Sequence, residues 1–280
     1  MTNYLTQFDN MQAYENSKSS LDLPNVSYII SDDLVIFSDA PTPPTPSVGM
    51  LRMQYNNGSV YTKECEAGVT TLTSADTRPS GYSITNVTSA TIGDCVTNLG
   101  GRCFFSATSM QHIDIPSSVT SFDEGVFSQC HSLTSITLPS SLTYIGSSLL
   151  YECSGLTSIV IPSGVTRIDK LAFTRCYGVT SIDIPSGVTS IGENAFRDCS
   201  HLTSVTIPSG VVEIGGWAFG YCTSLTSITC LATTPPALDD IGVFNGTNNC
   251  PIYVPSESVD AYKEDTNWKL YASRIQAIPN

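Results

Sequence analysis

The chain has 280 residues, of which 41% are hydrophobic and only 13% are charged, and its formal net charge at pH 7 is −13. An average soluble protein has about twice that charged share, and here serine and threonine take the place of the charged residues. The 12 Lys and Arg residues are scattered and form no basic surface for phosphate, so we expect no nucleic-acid partner. The apolar runs are far shorter than the ~18 to 20 residues that span a bilayer, and no membrane insertion is predicted.

The N-terminal attachment segment, residues 1–39, is acidic. Its start, MTNYLTQFDN, lacks the basic and then apolar stretches of a secretion leader, so no signal peptide is visible. The motif NVSYIISDDLVIFS predicts two short strands around Ser31-Asp32-Asp33, too small a unit to fold alone. Residues 40–47, APTPPTPS, predict a proline-rich, semi-rigid linker. Either a leader has been lost, or the segment docks the chain on a virion or surface scaffold, which we favour.

Residues 48–86 predict a small N-terminal β cap. The stretch LRMQYNNGSVYTKEC contains Asn57-Gly58 between two alternating apolar runs, which predicts a β-hairpin with a type I′ turn. An uncovered sheet edge invites pairing with other chains. The expected role of the hairpin is therefore to cover the first of the repeats that follow.

Residues 87–231 contain a repeat of 23 residues. Its unit reads L-T-S-I-x-I-P-S-G-V-T-S-I-G-x-x-A-F-x-x-C-x-x, and copies begin near Val87, Met110, Leu133, Leu156, Val179 and Leu202, with a seventh fading after Leu225. Three columns share this register: Pro116, Pro139, Pro162, Pro185 and Pro208; Phe104, Phe127, Phe173, Phe196 and Phe219, with Leu150 in the remaining copy; and Cys130, Cys153, Cys176, Cys199 and Cys222. A period of this length indicates stacked coils.

Each repeat predicts one coil of a β-rich solenoid. The L-x-x-I-x-I core predicts a strand that proline ends, the Ser-Gly pair predicts a turn, and V-T-S-I predicts a second, shorter extended segment. The A-F pair is expected in a tight turn, with its aromatic ring packed under the next coil. At ~4.8 Å per coil, seven coils would form a rod or shallow arc of roughly 34 Å.

The unit resembles the BspA-like, or treponemal-type, leucine-rich repeats of Bacteroidetes or their phages, in which C-x-x-L-x-x-I-x-I-P and A-F recur at this period. The resemblance implies a leucine-rich-repeat solenoid and a surface adhesin or binding protein. Residues 243–278, with VFNGTNNCPIYVPSESVDAYK and NWKLYASRI, are similar to the closing cap of such arrays. Residues 232–280 are accordingly expected to form an α+β C-terminal cap.

In this C-terminal cap, the stretch from Pro251 to Pro255 predicts a last strand. Ser256 is expected to cap a short helix that runs through Tyr262. Trp268 and Tyr271 are expected to seal the core beyond this helix.

The five periodic cysteines predict a column of buried free thiols that bond to the backbone, with disulfides or a metal site as alternatives. The other five, Cys65, Cys95, Cys103, Cys230 and Cys250, are irregular, and no C-x-x-C pair supports a zinc site. The three histidines, His112, His131 and His201, fall at variable repeat positions and predict solvated surface residues. Asp32-Asp33 and Asp239-Asp240 are explained by turns. We find no catalytic, metal or cofactor motif and predict no enzyme.

The outward side of the predicted strands is the candidate binding surface. It consists of two columns, Ser135, Thr137, Ser158, Val160, Ser181, Asp183, Ser204, Thr206, Ser227 and Thr229, which we call the hydroxyl surface. Ordinary solubility is the first explanation of this surface, and a weak, extended contact with a host-surface glycan or protein is the alternative. The predicted function is adhesion or binding on a surface, as a phage virion decoration or fibre that recognises a host or mucosal surface. A secreted bacterial cell-surface adhesin and a structural cement protein are the alternatives.

Overall fold

The computed structural model describes residues 28–31, 34–37, 50–64, 70–240 and 242–279. The chain divides into two units, Met1–Val48 and Gly49–Asn280. In the first unit, β1 (Tyr28–Ser31) pairs antiparallel with β2 (Leu34–Phe37), which confirms the two short strands. The Asp32-Asp33 turn, the proline-rich linker and Cys65 lie outside the described residues.

The second unit begins with the predicted hairpin, formed by β3 (Met50–Tyr55) and β4 (Val60–Glu64). The other edge of β3 pairs antiparallel with β6 (Val87–Ile92), the first strand of the repeats. Leu51 and Met53 of β3 point inward and are almost completely buried. The hairpin therefore occupies the sheet edge that the first coil would otherwise leave open.

The type I′ turn predicted for this hairpin is wrong. Gly58 has a positive φ of 82°, but Asn57 does not, whereas a type I′ turn needs a positive φ at both central residues. The Gly58 amide donates to the Tyr55 carbonyl at 3.0 Å, and the Tyr55 amide donates to the Ser59 carbonyl at 3.0 Å. Asn57 Oδ1 accepts the Ser59 amide at 3.0 Å, which favours this longer loop with glycine in the bulge position.

The repeats stack as 23-residue coils, which we letter A to G from Val87, Met110, Leu133, Leu156, Val179, Leu202 and Leu225. The L-x-x-I-x-I side is the first face, with β6, β8 (His112–Asp114), β13 (Ser204–Ile207), β15 (Ser227–Cys230), β17 (Ile252–Val254) and β18 (Ile275–Ala277). The V-T-S-I side is the second face, with β5 (Thr71–Leu72), β7 (Asn98–Leu99), β9 (Ser121–Phe122), β10 (Tyr144–Ile145), β11 (Arg167–Ile168), β12 (Ser190–Ile191), β14 (Glu213–Ile214) and β16 (Ala237–Leu238). Where strands of successive coils pair, they do so in parallel and in register on both faces, as expected of a solenoid.

The first face departs from the prediction in its middle. Coils C, D and E form no strand there within the described residues, and an isolated bridge joins Asp183 to Thr206. Side chains still alternate between buried and exposed along these stretches. The chain is therefore extended there, but the backbone hydrogen bonds between neighbouring coils are too few to form a continuous sheet. The inner aliphatics are slightly uncovered as a result: Ile182 and Ile184 are 6% and 8% exposed, compared with 0% for Ile207 in β13.

One continuous hydrophobic core runs through the stacked coils. The aromatic residues of the A-F turns stack along it, with ring centroids 5.2 Å apart for both Phe173 to Phe196 and Phe196 to Phe219. Such offset stacks stabilise beyond the area that they bury. Leu150 interrupts the column between Phe127 and Phe173 and is fully buried. The expected packing of each ring against the next coil is thus confirmed, with one aliphatic gap.

The turn that carries the A-F pair forms a third side of each coil, which we call the turn face. Two residues per coil have a positive φ there, such as Leu171 at 60° and Arg175 at 61° in coil D. This conformation is costly for residues other than glycine, at roughly 1 to 2 kcal/mol each. It points their amides along the solenoid axis, and Leu171 N and Arg175 N donate to the carbonyls of Glu193 and Arg197 in coil E at 2.9 and 2.8 Å. These bonds offset the strain.

The C-terminal cap consists of a 3₁₀ turn (Ser256–Ser258), the helix α1 (Val259–Glu264), a second 3₁₀ turn (Trp268–Tyr271) and β18. Trp268 is completely buried, and its indole nitrogen donates to the Pro236 carbonyl at 2.7 Å. The rings of Trp268 and Tyr271 lie 5.6 and 5.3 Å from that of Phe244. These contacts confirm that the two aromatic residues seal the core.

Two details of the cap prediction are wrong. Ser256 makes no capping bond to the helix, because its hydroxyl donates to the neighbouring Glu257 carboxylate at 3.2 Å and the helix α1 starts only at Val259. The strand β17 is not the last one, since β18 pairs with it in parallel on its outer side. After the helix, the chain therefore returns to the first face and adds one more strand to its sheet.

The five periodic cysteines are buried and free, as predicted. Each thiol donates to a backbone carbonyl 26 residues earlier, for example Cys153 to Phe127 at 3.1 Å and Cys176 to Leu150 at 3.2 Å. Burial raises the pKa of the Cys176 thiol well above its ordinary value. Cys103, Cys230 and Cys250 are also free and buried. Cys95, which lies outside the repeat column, is disulfide-bonded, whereas the bridging alternative for the five periodic cysteines is wrong.

Candidate functional surfaces

The hydroxyl surface has the geometry that the repeat predicts. Its members point away from the core, and all are exposed except Ser227 and Thr229, which are half-buried near the C-terminal end. The register places Ser204 beside Ser227 and Thr206 beside Thr229 in neighbouring strands. The structure therefore brings equivalent residues of successive coils together in two parallel columns.

Val160 and Asp183 interrupt the hydroxyl surface at its centre. Val160 is 78% exposed, which is unusual for an aliphatic side chain, and lies where the other coils carry Thr or Asp. The Asp183 side chain is exposed, and its carboxylate has neither a hydrogen bond nor an ion pair in the described part of the chain. The middle of this surface thus presents an apolar group and a carboxylate between serine hydroxyls.

The hydroxyls of this surface make no hydrogen bonds to the described protein groups. The adjoining threonine column differs, because three of its hydroxyls bond to the preceding coil: Thr157 Oγ1 donates to the Thr134 carbonyl at 3.3 Å, Thr203 Oγ1 to the Thr180 carbonyl at 3.1 Å, and Thr226 Oγ1 to the Thr203 carbonyl at 3.0 Å. A second column on the V-T-S-I side does the same, as Thr189 does to Thr166 at 3.1 Å. The threonines are thus structural, while the serine column keeps its hydrogen-bonding capacity for a ligand or for water.

A second surface, which the sequence analysis missed, runs along the turn face. The residue before each cysteine position forms a column in which side chains bond from coil to coil, and we call it the polar ladder: Ser106, Gln129, Glu152, Arg175 and Asp198. Ser106 Oγ donates to Gln129 at 2.7 Å, and Gln129 Nε2 donates to Glu152 at 3.0 Å. Arg175 donates to Glu152 at 2.5 Å and lies 3.9 Å from the Asp198 carboxylate. The signal in the sequence was a polar residue of some type at this repeat position in each of the five coils.

The electrostatics of the polar ladder centre on Glu152. Burial alone would raise its pKa, but hydrogen bonds from Arg175, Gln129 and Tyr151 outweigh that effect and hold the pKa below its ordinary value. The pKa of the Tyr151 hydroxyl is raised, first by burial and then by the Glu152 carboxylate. The ladder therefore contains a carboxylate that stays ionised and a phenol that stays neutral at physiological pH.

The polar ladder ends in an aromatic cluster near the C-terminal coils. The rings of Trp217 and Tyr221 stack with centroids 5.7 Å apart, and the Arg197 guanidinium lies 5.5 and 5.4 Å from them. A Cβ on Gly242 would lie 2.4 Å from the Trp217 ring, and one on Gly246 would lie 2.8 Å from the Tyr221 ring. The next coil thus leaves room for both rings by carrying glycine at these positions, and each ring is packed against it.

The histidines are exposed, as predicted, yet each has a partner. His112 pairs with Asp114 at 2.8 Å, His131 bonds to the Glu152 carbonyl at 2.9 Å, and His201 bonds to a backbone carbonyl in the preceding coil. The described residues contain no group of three or more His, Cys, Asp or Glu side chains that could hold a metal ion. Asp239 and Asp240 are exposed.

These features agree with one known family. The chain matches the model of the BspA type leucine rich repeat region in six copies, over residues 80–179 and 166–260, which is well over half of its length. The chain belongs to the BspA-type leucine-rich repeat family. The resemblance drawn from the repeat is therefore confirmed, together with the solenoid fold. This is a family of surface and adhesion proteins, and its members act in general as binding modules.

Several solved structures of BspA-type and other leucine-rich repeat proteins are similar to this chain. The T. pallidum leucine rich repeat protein TpLRR is 26% identical over 60% of this chain and 74% of that chain, with a TM-score of 0.43. A leucine-rich repeat protein from Eubacterium ventriosum is 20% identical over 60% of this chain and 49% of that chain, with a TM-score of 0.45. A leucine rich cell surface protein from Faecalibacterium prausnitzii is 20% identical over 79% of this chain and 85% of that chain, with a TM-score of 0.43. Among curated proteins, none matches this chain in sequence.

In the part of the chain that the structure describes, no helix has the length and apolar character needed to cross a membrane.

Proposed function

We propose that this protein is a non-enzymatic binding module that is displayed on a surface and contacts its ligand through the hydroxyl surface. The observation that carries the proposal is the pair of outward columns whose side chains have no hydrogen bond to described protein groups, next to threonine columns in which hydroxyls such as those of Thr203 and Thr226 bond to the preceding coil. Each free hydroxyl contributes little to binding, but a regular array can act together through avidity. A host-surface glycan or protein fits such an array.

The finer form of this proposal concerns the carrier. The N-terminal segment belongs to a unit that is distinct from the solenoid, which supports a division of labour between attachment and recognition. We propose that residues 1–39 dock on a phage virion, so that the protein is a head or tail decoration or a fibre. Secretion to a bacterial cell surface is the alternative, and cementing of neighbouring subunits is a third possibility.

Binding of the full chain to immobilised mucin and to a glycan array tests recognition. The test variant replaces Ser158, Ser181 and Ser204 with alanine, and the matched control replaces Ser163, Ser186 and Ser209, the exposed serines of the Pro-Ser-Gly turns in the same coils. We expect at least a fivefold loss of binding for the first triple variant and no change for the second. Equal binding of the two variants would refute the hydroxyl surface.

Location in intact particles tests the carrier. Antibodies against the solenoid should label purified virions in electron micrographs, and added full-length protein should compete for the docking position whereas protein lacking residues 1–47 should not. Labelling of bacterial envelopes without virions would replace the phage carrier with the cell surface. Oligomeric contacts between neighbouring capsid subunits, without binding to mucin or glycans, would support the cement protein.

A further inference from the structure

A groove of about 320 Å³ crosses the turn face above coils A to D, and no residue of the hydroxyl surface lines it. Its walls are the aromatic ring of Phe105 on one side and the ring of Tyr151 with the aliphatic side chain of Leu171 on the other. Its volume is near the lower end of the ~300 to 1,000 Å³ typical of small-molecule sites. A groove of this size admits a ligand of one or two small rings.

The groove exists because coil B carries small residues at two positions of the turn face. Gly125 occupies the position of Arg102 in coil A and Leu171 in coil D, and coil C carries the small Ser148 there. Ser128 occupies the position of Phe105 in coil A and Tyr151 in coil C. A Cβ on Gly125 would already lie 3.2 Å from Ser128 Oγ and 3.4 Å from Arg102 Cγ. Gly125 and Ser128 therefore form the floor of the groove, and the absence of larger side chains there leaves its volume open.

Both walls are held in place by arginines that do not line the groove. Arg78 donates to the carbonyls of Arg102 and Cys103 at 3.2 Å each and to that of Phe105 at 2.8 Å, which pins the turn that carries Phe105. Arg175, in the polar ladder, donates to the Tyr151 hydroxyl at 3.3 Å. The walls are therefore preorganised, and binding would not have to order them.

The spacing of the walls suits a flat ring between them. Phe105 and Tyr151 are equivalent residues two coils apart, and equivalent core rings in adjacent coils lie 5.2 to 5.8 Å apart. Offset-stacked rings prefer centroid separations of about 4.5 to 7 Å, so two coils, at roughly 10 to 12 Å, leave room for one inserted ring that contacts both walls. The C–H groups on the face of a pyranose are suited to the electron-rich faces of Phe105 and Tyr151.

The rim of the groove offers one donor and one acceptor that the protein does not use. Neither the Arg102 guanidinium nor the Glu124 carboxylate has a hydrogen bond or an ion pair among the described residues, although Arg102 lies 5.7 Å from the Phe105 ring. The opposite charges of Arg102 and Glu124 largely offset each other for a ligand of either sign, and the net charge of −13 disfavours an anionic ligand. A neutral ligand with adjacent hydroxyls can accept from the guanidinium and donate to the carboxylate.

We propose that this turn-face groove binds one pyranose ring of a neutral glycan. The ring stacks between Phe105 and Tyr151, and its hydroxyls bond to Arg102 and Glu124. The site is separate from the hydroxyl surface, so either can fail without the other. If both act, the protein contacts a glycan chain through one specific subsite and one extended surface.

Saturation-transfer NMR on the full chain tests the proposal, with the methyl glycosides of glucose, galactose and mannose and with N-acetylglucosamine as probes. Sialyllactose and an acidic and a basic hexapeptide serve as comparison ligands. We expect at least one neutral sugar to bind in the millimolar range and more tightly than the comparison ligands. No binding of any neutral sugar, or tighter binding of a peptide, would overturn the proposal.

Variants then locate the site. Phe105→Ala and Tyr151→Ala should each weaken sugar binding at least tenfold and Glu124→Ala about threefold, whereas Tyr177→Ala, an exposed tyrosine outside the groove, should leave it unchanged.

Gly125→Asn should abolish binding by filling the groove without disturbing the fold, because Asn194 adopts the same positive φ in coil E. Unchanged binding in Glu124→Ala and Gly125→Asn would overturn the proposal even if the wall variants misfold. Loss of sugar binding only in the serine triple variant would overturn the groove while supporting the hydroxyl surface.

Discussion

Gly215 lies so close to Glu193 in the preceding coil that a Cβ built on it would be 2.3 Å from the Glu193 backbone nitrogen. Backbone atoms cannot move aside as the end of a flexible side chain can. We therefore expect Gly215→Ala to lower the free energy of unfolding by more than ~3 kcal/mol, as severe overpacking does.

Gly164→Ala is the matched control for this substitution, since its Cβ would lie 3.4 Å from the Leu142 carbonyl oxygen, an ordinary contact. It should be neutral or stabilise by up to about 1 kcal/mol. Urea unfolding followed by circular dichroism measures both. Equal midpoints would show that coil spacing relaxes more easily than we infer.

The buried thiols should be chemically silent in the folded protein. Thiolate is the reactive form. Burial raises the pKa of the Cys176 thiol, and a hydrogen bond with Cys222 together with burial raises that of the Cys199 thiol, so little thiolate forms at pH 8. We expect no reaction with a thiol-specific reagent under native conditions and at least eight reactive thiols after denaturation without reductant. Rapid native labelling of even one periodic cysteine would contradict the packed column. Cys176→Ala should cost ~1 to 2 kcal/mol of stability through its lost contacts and hydrogen bond.

The polar ladder predicts a pH-dependent contribution to stability. The pKa of Glu152 is lowered in the folded state, so its stabilisation is present above the unfolded-state pKa of about 4.3 and is lost as pH falls through the lower folded-state value. Because Arg175 is partly exposed, we expect only about 0.5 to 1 kcal/mol. Thermal unfolding from pH 7 to pH 3 should show a smaller loss for Glu152→Gln than for the wild type. Glu193→Gln, an exposed carboxylate in coil E, serves as the control.

The C-terminal cap should be essential for a soluble monomer. Trp268→Ala removes a fully buried ring and its bond to Pro236, and should cost ~3 to 5 kcal/mol. Leu270→Ala, in the same 3₁₀ turn but 54% exposed, should change stability little. Deletion of residues 243–280 should give insoluble material, which fractionation after expression would show. A soluble, monomeric truncation would contradict the role of the cap.

The sequence predicted those features that depend on a residue type recurring in every coil. The cysteine, proline and aromatic columns fixed the coil length, the core and the outward position of residues such as Ser181 and Ser204. The C-terminal aromatic seal was also predictable, because Trp268 and Tyr271 are large apolar residues at the end of a stack that must be covered.

Other features depend on what differs between coils. The polar ladder lies at one repeat position where Gln129, Glu152 and Arg175 are residues of different types. A consensus sequence of the repeat treats such a position as variable and gives it no role. The groove depends on Gly125 and Ser128 being small beside large neighbours, which appears only when whole columns are compared. The open middle of the first face depends on hydrogen bonds between coils, which side-chain patterns do not report.

The junction between coils B and C also has a mechanical consequence. β8 and β9 do not pair with coil C on either face, and the backbone hydrogen bonds across this junction in the described residues all come from the turn face, from Gly125, Phe127 and Gln129. If the protein is anchored at one end and bound to a ligand at the other, we therefore expect coils B and C to separate before any other pair of coils under tension. A rigid ligand spanning Phe105 and Tyr151 would bridge that weak joint and raise the force at which it ruptures.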